Sequence, residues 1–278
     1  MVKKIAIALA CLILIGTGIW YNSTVVNCRT FQIREETISS SKLDEDSDGL
    51  LLICFSDLYY GQFISDDLLD ELIKTIDSFK PDIIVFEGDL LYPGIDISQE
   101  QISTLQNKLS SLDARFGKYA VYGDQDHLDL QKTSEILEGS GFIILNNESK
   151  LISIDKNSYI NLTGIDSLVS GDPDVTQAFS NANANYFTFA VSHCPDIFDS
   201  VLGYNADYLS AGHSRGGQVY IPLISLFARE YGCKKYYRGK LTKNGVTLDI
   251  NNGIGRYLNN ARFLADSEIV VYKLKSAK

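Results

Sequence analysis

Five apolar segments of the chain each end at a residue that can bind a metal ion. These residues are Asp57, Asp89, Asp124, His193 and His213. Taken singly, each has an ordinary explanation, because aspartates cap helices and form turns and a histidine at a strand end is often structural. Five in succession indicate one shared site. Three carboxylates and two imidazoles suit a divalent ion such as Mn²⁺, Fe²⁺ or Zn²⁺.

The segment around the last of these histidines reads GHSRGGQVYIP, over residues 212–222. Its paired glycines, Gly216 and Gly217, allow a sharp turn or a close approach of the backbone to a ligand. Arg215 places a permanent cation where a second imidazole would fit. A guanidinium can bind phosphate through two hydrogen bonds without any metal. The alternative is that Arg215 points to solvent in a loop that has lost its role.

Strands and helices are predicted to alternate along the chain. Apolar runs predict strands over 50–57, 81–89, 117–126, 186–193 and 206–213. Amphipathic patterns with serine caps predict helices over 65–79 and 98–112. Residues 28–38 could form an edge strand, 39–49 a polar linker, and 245–275 antiparallel strands. Ligands of open α/β sheets bind beyond the carboxyl ends of the strands, so the five residues are expected to meet at one edge.

The N-terminus carries Lys3 and Lys4 and then an uncharged stretch from Ile5 to Tyr21. This stretch is slightly shorter than the ~20 residues that span a bilayer. No small-x-small cleavage site follows it, which favours an uncleaved signal anchor over a cleaved signal peptide. The lysines would keep this end in the cytoplasm and place the rest of the protein on the extracytoplasmic side of the cell membrane. A buried helix of a soluble protein is the third alternative.

Composition limits the classes of partner. The 278 residues are 45% hydrophobic and 22% charged, which suits one large domain with or without a short appendage. A net charge of -10 argues against binding to nucleic acid. The five cysteines form no C-x-x-C pair, so neither a disulfide framework nor a zinc ribbon is indicated. Cys54 lies in an apolar run and is expected in the core.

The order of these motifs resembles the calcineurin-like metallophosphoesterases, in particular their membrane-associated, YkuE-like branch, over roughly residues 48–275. That family carries D-x-H, G-D-x-x, G-N-H-D/E, a lone histidine and G-H-x-H. The matching segments are Asp57-Leu58-Tyr59, Gly88-Asp89, Gly123-Asp124-Gln125-Asp126, His193 and Gly212-His213-Ser214-Arg215. The flanking segments FSDLYYG, SHCPD and GHSRGGQV also resemble the family.

The resemblance implies an α/β fold, a four-layer αββα sandwich, here preceded by the N-terminal membrane anchor helix. It divides the chain into a signal anchor over 1–26, a linker and edge strand over 27–49, and the phosphoesterase domain over 50–278. In the family, two metal ions hold a phosphate ester and activate a water molecule for in-line attack.

The resemblance assigns the metal ligands residue by residue, as Asp57, Asp89, Asp124, His193 and His213. Two family histidines that bind the first metal are replaced, by Tyr59 and Arg215. The second metal keeps a full set of four, with Asp124 in place of asparagine. We therefore expect one divalent ion rather than two, with Arg215 near the vacated position.

The candidate catalytic residues are Gln125, Asp126 and Arg215. Gln125 replaces the family histidine that steadies the transition state or protonates the leaving group, and an amide cannot transfer that proton. Asp126 orients that histidine in the family. Tyr92, in GDLLY, resembles the tyrosinate ligand of purple acid phosphatases and could restore part of the first metal position beside Asp57, which would allow a second ion. The alternative is a packed tyrosine. His127 could act as a general acid or lie at the surface.

Two functions follow as expectations. The first is a membrane-anchored, metal-dependent phosphoesterase, a hydrolase that acts on a small phosphoester, a lipid headgroup or a cell-wall phosphate. The second is a catalytically impaired pseudoenzyme that binds a phosphate ligand or a protein partner through the same cleft.

Overall fold

The computed structural model describes residues 1–225 and 229–277 of the chain. Its first half contains, in chain order, α1 (Val2–Tyr21), β1 (Gln32–Ser40), β2 (Leu51–Phe55), α2 (Asp66–Ser78), β3 (Ile83–Phe86), α3 (Gln99–Ser110), β4 (Lys118–Ala120), α4 (Leu130–Gly139) and β5 (Phe142–Ile144). The second half contains β6 (Glu148–Asp155), β7 (Ser158–Ile165), α5 (Val175–Phe179), β8 (Phe187–Ser192), α6 (Phe198–Val201), β9 (Tyr208–Ala211), β10 (Gly239–Lys243), β11 (Val246–Ile250) and β12 (Glu268–Ser276).

These strands form two six-stranded sheets. The first has the order β1-β12-β2-β3-β4-β5 and the second the order β10-β11-β9-β8-β7-β6. β2 to β5 are mutually parallel, as are β7, β8, β9 and β11. The strands that precede the five candidate residues therefore lie in the parallel part of each sheet, where carboxyl ends share an edge.

Apolar side chains fill three layers and so define a four-layer sandwich. Along β2, Ile53 and Phe55 pack towards the layer shared with α2, α3 and α4, whereas Leu52 and Cys54 pack between the two sheets. A third layer lies between the second sheet and the helices α5 and α6. Strands buried on both faces have continuous apolar sequences, which is why these segments showed no alternation. The expected αββα fold is present, and Cys54 is in the core.

The predicted helices are present as α2 and α3, and their caps explain where they start. The Ser65 side chain accepts a hydrogen bond from the backbone N–H of Leu68. Ser98 and Gln101 form a reciprocal capping box at the start of α3.

Two regions differ from the sequence-based expectation. The tail does not form one antiparallel unit, because β11 and β12 lie in different sheets and each has one parallel and one antiparallel neighbour. Residues 127–185, to which no element was assigned, contain α4, α5 and β5 to β7. The edge strand expected over 28–38 is present as β1, which lies at the edge of the first sheet and pairs along the length of β12.

α1 extends from the sandwich, whereas the π-helical turn that follows it, Asn22–Val26, contacts the sandwich through the buried Ser23. The residues of α1 are all exposed. Among the described residues, Val2–Val26 is the one helical segment that is long and apolar enough to cross a membrane. Its position at the N-terminus fits either an anchor or a signal sequence.

Candidate metal centre

The five candidate residues follow their strands within a few positions. Asp57 and His213 come two residues after β2 and β9, Asp89 three after β3, and Asp124 four after β4, whereas His193 follows β8 directly. All five are buried. The carboxyl ends of the two sheets thus bring all of them to one place, as the shared-edge argument predicts.

The backbone at this place is held in an uncommon conformation. Asp57, Tyr59, Asp89, His213 and Arg215 all have a positive φ, between 48° and 63°. Such angles are uncommon outside glycine, and they occur preferentially at functional sites. Around them, glycine is required at residue 253, since a Cβ there would lie 2.8 Å from the Cβ of Asp57.

The ligand atoms fall into two neighbouring groups of three. Asp57, Asp89 and His193 form one group, and Asp124, Cys194 and His213 form the other. Within each group, the ligand atoms lie within 4.8 Å of one another. The two groups adjoin, because the ring centroids of His193 and His213 are 5.2 Å apart.

In each imidazole, the ring nitrogen that faces away from the carboxylates contacts a backbone carbonyl and so fixes the orientation of the ring. Nδ1 of His193 lies 2.7 Å from the carbonyl oxygen of Glu87, and Nε2 of His213 lies 2.7 Å from that of Tyr231. The remaining nitrogens, Nε2 of His193 and Nδ1 of His213, are buried and face carboxylates. They lie 3.2 Å from Asp89 Oδ2 and 2.8 Å from Asp124 Oδ2. A backbone carbonyl that fixes one nitrogen while the other faces carboxylates is the arrangement of metal-ligating histidines.

The protonation of these groups follows from their charges. Burial by itself would lower the pKa of His193, but the carboxylate of Asp89 outweighs burial and raises that pKa to about 10. Burial would raise the pKa of Asp89, and the charge of His193 outweighs it, so that this pKa is lowered. The imidazoles balance the carboxylates with protons, and a bound divalent cation would take over that role and release them. The donor set therefore fits a metal ion.

On the other side of Asp57, two side chains fill the position of the replaced histidines. The Tyr59 hydroxyl lies 2.6 Å from Oδ2 of Asp89 and 3.3 Å from Oδ1 of Asp57. Nη1 of Arg215 donates to the Tyr59 hydroxyl over 2.9 Å and lies 3.6 Å from Oδ1 of Asp57. Tyr59 and Arg215 are both buried. A guanidinium and a phenol thus occupy the space beside these carboxylates.

The guanidinium of Arg215 is held from several directions. Nη2 donates to both carboxylate oxygens of Glu230, over 2.7 and 2.6 Å. Nη1 also donates to the carbonyl oxygen of His213 over 2.7 Å. The group lies 5.3 Å from the ring centroid of Tyr257, which stacks on Tyr59. Arg215 therefore does not point to solvent, and its position depends on Glu230.

A comparison with known proteins identifies the family. The sequence is 31% identical over 245 residues to YkuE of Bacillus subtilis strain 168, described as an uncharacterized metallophosphoesterase, and the match covers 87% of this chain and 85% of YkuE. This chain belongs to the metallophosphoesterases. A Danio rerio transmembrane protein with a metallophosphoesterase domain is 25% identical, over 86% of this chain and 56% of that protein.

A third relative, from Chlamydia muridarum, is named UDP-2,3-diacylglucosamine pyrophosphatase LpxG. It is 24% identical over 63% of this chain and 66% of its own length. No family model matches the sequence.

Within this metallophosphoesterase, Asp126 joins two loops. Its carboxylate accepts hydrogen bonds from the backbone N–H groups of Asp89, Leu90 and Gly123, at 2.7 to 2.9 Å. Burial, followed by the charge of Asp89, raises the pKa of Asp126 to about 6. The backbone N–H of Gln125 in turn donates to Oδ1 of Asp89 over 2.8 Å. Asp126 and the Gln125 backbone thus position the loop that carries Asp89.

His127 is partly buried and paired. Its Nε2 lies 2.8 Å from Oδ1 of Asp166. The next residue, Ser167, donates a short hydrogen bond from its hydroxyl to Asp124. A chain of neighbouring contacts therefore connects His127 to the candidate ligand Asp124 of the metallophosphoesterase.

Tyr92 packs against aromatic side chains. Its ring meets Phe63 edge-on with centroids 5.6 Å apart, and it approaches Tyr59 at 6.1 Å. Tyr59, rather than Tyr92, makes the phenol contact with Asp89 that the structure shows.

Sequence reasoning missed Glu230, Tyr257, Cys194 and the pair Asp166–Ser167. The Cys194 thiol lies 3.3 Å from Oδ1 of Asp124, in the same group as His213. Cys194 follows His193 directly and could have been found from that position. Glu230 and Tyr257 come from irregular loops, where no periodic pattern marks them.

Proposed function

We propose that this chain is a membrane-anchored phosphoesterase that works with one divalent ion. Asp89, Asp124, His193 and His213 would hold that ion, and Arg215 would supply the positive charge of the second. The two inward ring nitrogens, Nε2 of His193 and Nδ1 of His213, carry this proposal, because they lie 3.2 and 2.8 Å from the buried carboxylates of Asp89 and Asp124. Buried carboxylates are costly unless positive charge balances them.

The buried cation supports the choice of one ion. Arg215 and the Tyr59 hydroxyl already contact the carboxylates of Asp57 and Asp89. A second dication at that position would meet the guanidinium at close range, which like charges disfavour. A divalent ion in the remaining position would polarise a phosphoryl oxygen and lower the pKa of a water molecule.

The residues of the chain define the rest of the reaction. Arg215 lies where it can stabilise negative charge on a phosphoryl group, once Nη2 exchanges Glu230 for that group. Gln125 cannot give a proton to a leaving group. The site therefore favours phosphoesters whose leaving group departs readily as an anion.

The substrate class follows from the proposed location. α1 would anchor the domain on the extracytoplasmic side of the cell membrane, where lipid headgroups and cell-wall phosphates are within reach. The relative LpxG, named as a pyrophosphatase with a diacylated substrate, supports a lipid-linked pyrophosphate, whose cleavage releases a phosphate anion. Small soluble phosphoesters fit the same chemistry.

One observation favours the alternative, a pseudoenzyme that binds phosphate or a protein partner. Both terminal nitrogens of Arg215 already have partners within the protein. If Glu230 holds Arg215 permanently, the site keeps a metal ion and loses turnover.

The deciding experiment measures metal content by elemental analysis of the full chain in detergent, together with hydrolysis of bis(p-nitrophenyl) phosphate with added Mn²⁺. We expect about one metal per chain and measurable hydrolysis, both lost in His193→Ala. The matched control is His127→Asn, because His127 lies outside the proposed ligand set. This variant should keep its metal. Two metals per chain would contradict the one-ion site, and metal without hydrolysis would support the pseudoenzyme.

A further inference from the structure

Two loops near the metal centre expose apolar side chains to solvent. Leu223 and Ile224 are 76% and 62% exposed, and Leu258 is 73% exposed. The exposed apolar residues of this surface, here called the apolar loop surface, are Val219, Ile221, Leu223, Ile224, Leu258 and Leu264. Exposed apolar residues gathered on adjoining loops mark an interaction site more often than scattered ones do.

Backbone contacts hold the two loops together. Val219 forms a β-bridge with Phe263. The N–H of Tyr220 donates to the carbonyl oxygen of Phe263, and the N–H of Phe263 donates to that of Gln218, each over 2.8 Å. The exposed residues of both loops therefore belong to one surface.

The end of the proposed anchor contacts the same loops. The N–H of Arg262 donates to the carbonyl oxygen of Ser23 over 2.8 Å, and the Asn27 side chain donates to the carbonyl oxygen of Arg262 over 3.3 Å. Arg262 directly precedes Phe263. The surface thus begins where the apolar helix ends.

Aromatic residues indicate the depth of the helix in a bilayer. Trp20 and Tyr21 end α1 and are exposed, and such residues concentrate at the level of the lipid headgroups. Ser23 lies two residues beyond Tyr21, about 3 Å along a helix axis. The loop contact at Ser23 is therefore at headgroup level if α1 crosses the membrane.

Cationic side chains border the surface of this otherwise acidic protein. The guanidinium of Arg238 lies 4.1 Å from the ring centroid of Tyr220 and donates to the carbonyl oxygen of Leu264 over 3.1 Å. Arg29, two residues after Asn27, and Lys234, four residues after Glu230, are also exposed. Apolar side chains bordered by cations suit the interface of a membrane with anionic lipids.

A cavity leads from this surface to Arg215. Its volume is about 130 Å³, and it is lined by Arg215, Glu230 and Tyr257 together with Val219 and Leu258. The last two belong to the apolar loop surface. A molecule held in the bilayer could therefore reach Arg215 without leaving the interface.

We infer that the apolar loop surface lies on the bilayer that holds α1, and that the substrate is the phosphorylated headgroup of a membrane amphiphile, admitted between Val219 and Leu258. This inference rests on the proposed anchor and the proposed phosphoesterase site. It adds an orientation, because the metal centre faces the lipid rather than the surrounding solution.

The orientation is tested by tryptophan quenching in nanodiscs of phosphatidylcholine with brominated acyl chains. Trp20 is the only tryptophan of the sequence and reports on α1 in the unchanged protein. Leu223→Trp, in a Trp20→Phe background, should be quenched as Trp20 is. The matched control is Leu151→Trp in the same background, since Leu151 is 43% exposed on β6 and should not be quenched.

Suppose that Trp20 is quenched but Leu223→Trp is quenched no more strongly than Leu151→Trp. That result would overturn the membrane-facing surface and leave the proposed function intact. Absence of quenching at Trp20 would overturn both the anchor and this inference.

The headgroup is tested with two esters that share a leaving group, octadecyl p-nitrophenyl phosphate in nanodiscs and methyl p-nitrophenyl phosphate in solution. The variant Leu223→Ser/Ile224→Ser should lower the first rate roughly tenfold and leave the second within about twofold, because only the first depends on apolar contact. Equal effects on both rates would overturn the lipid substrate. Absence of both rates in the unchanged protein would contradict the proposed function, and the quenching would still decide the orientation.

Discussion

The hydroxyl of Tyr59 lies 2.6 Å from Oδ2 of Asp89, the oxygen that also lies 3.2 Å from Nε2 of His193. One carboxylate oxygen thus borders both halves of the centre. On one side stand a phenol and the Arg215 guanidinium behind it, and on the other the His193 imidazole. The replaced residues and the candidate ligands therefore form one connected network.

Restoring histidine at both replaced positions should restore a second metal ion. The double variant Tyr59→His/Arg215→His removes the buried guanidinium and supplies two imidazoles beside Asp57. Elemental analysis should give about two metals per chain, against about one for the unchanged protein. Either single variant is the control and should stay near one. A double variant that still binds one ion would contradict the assignment of these positions.

Asp126→Asn should weaken metal binding through the backbone. The amide keeps one acceptor oxygen, but its NH₂ group faces backbone N–H groups that also donate, so at least one of the three hydrogen bonds is lost. Leaving such a buried donor unpaired costs about 1–3 kcal/mol. We expect a lower free energy of unfolding and a higher metal dissociation constant. Asp129→Asn, at an exposed helix cap nearby, should leave metal affinity unchanged.

Glu230→Gln should make inorganic phosphate a stronger competitive inhibitor. The substitution keeps the shape of the side chain and removes the charge that holds Nη2 of Arg215. The Glu230 side chain is 45% exposed, so the unfolding free energy should change by less than about 1 kcal/mol. The inhibition constant for phosphate should fall several-fold, whereas Glu148→Gln on β6 should not change it. An unchanged constant would argue that Arg215 does not bind phosphate.

The pair His127–Asp166 should make stability depend on pH. The contact with Asp166 raises the pKa of His127 above its ordinary value. A group whose pKa is raised in the folded state stabilises the protein. This stabilisation is complete below the pKa of the unfolded state, about 6.5, and is lost as the pH rises through the pKa of the folded state.

Denaturant unfolding of the unchanged protein and of His127→Asn should therefore differ more near about pH 5.5 than near about pH 8.5. Asp166→Asn should abolish that difference. A gap that widens with rising pH would show that His127 is held in its neutral form.

The sequence indicated much of this candidate centre, because it places the five candidate ligands by a simple rule. Asp57, Asp89 and the two histidines each follow a buried parallel strand, and the carboxyl ends of such strands converge. The family resemblance then singled out Tyr59 and Arg215. The direction of Arg215 could not be foreseen, since it is set by Glu230, fifteen residues further along an irregular loop.

The same limit applies to the fold. α2 and α3 carry strong periodicity and serine caps, so their prediction was correct. The antiparallel prediction for residues 245–275 was wrong because the alternation of polar and apolar residues indicates which face of a strand is buried. It does not identify the neighbouring strands. β12 lies between β1 and β2 in one sheet, and β11 lies beside β9 in the other.

The guanidinium of Arg215 differs from a metal ion in where it comes from. It is part of the polypeptide and enters the centre during folding, whatever the surroundings contain. A chelator cannot remove it, and metal scarcity cannot leave its position empty. If the centre works with one metal ion as proposed, one of its two positive charges is encoded in the gene and only the other depends on the environment.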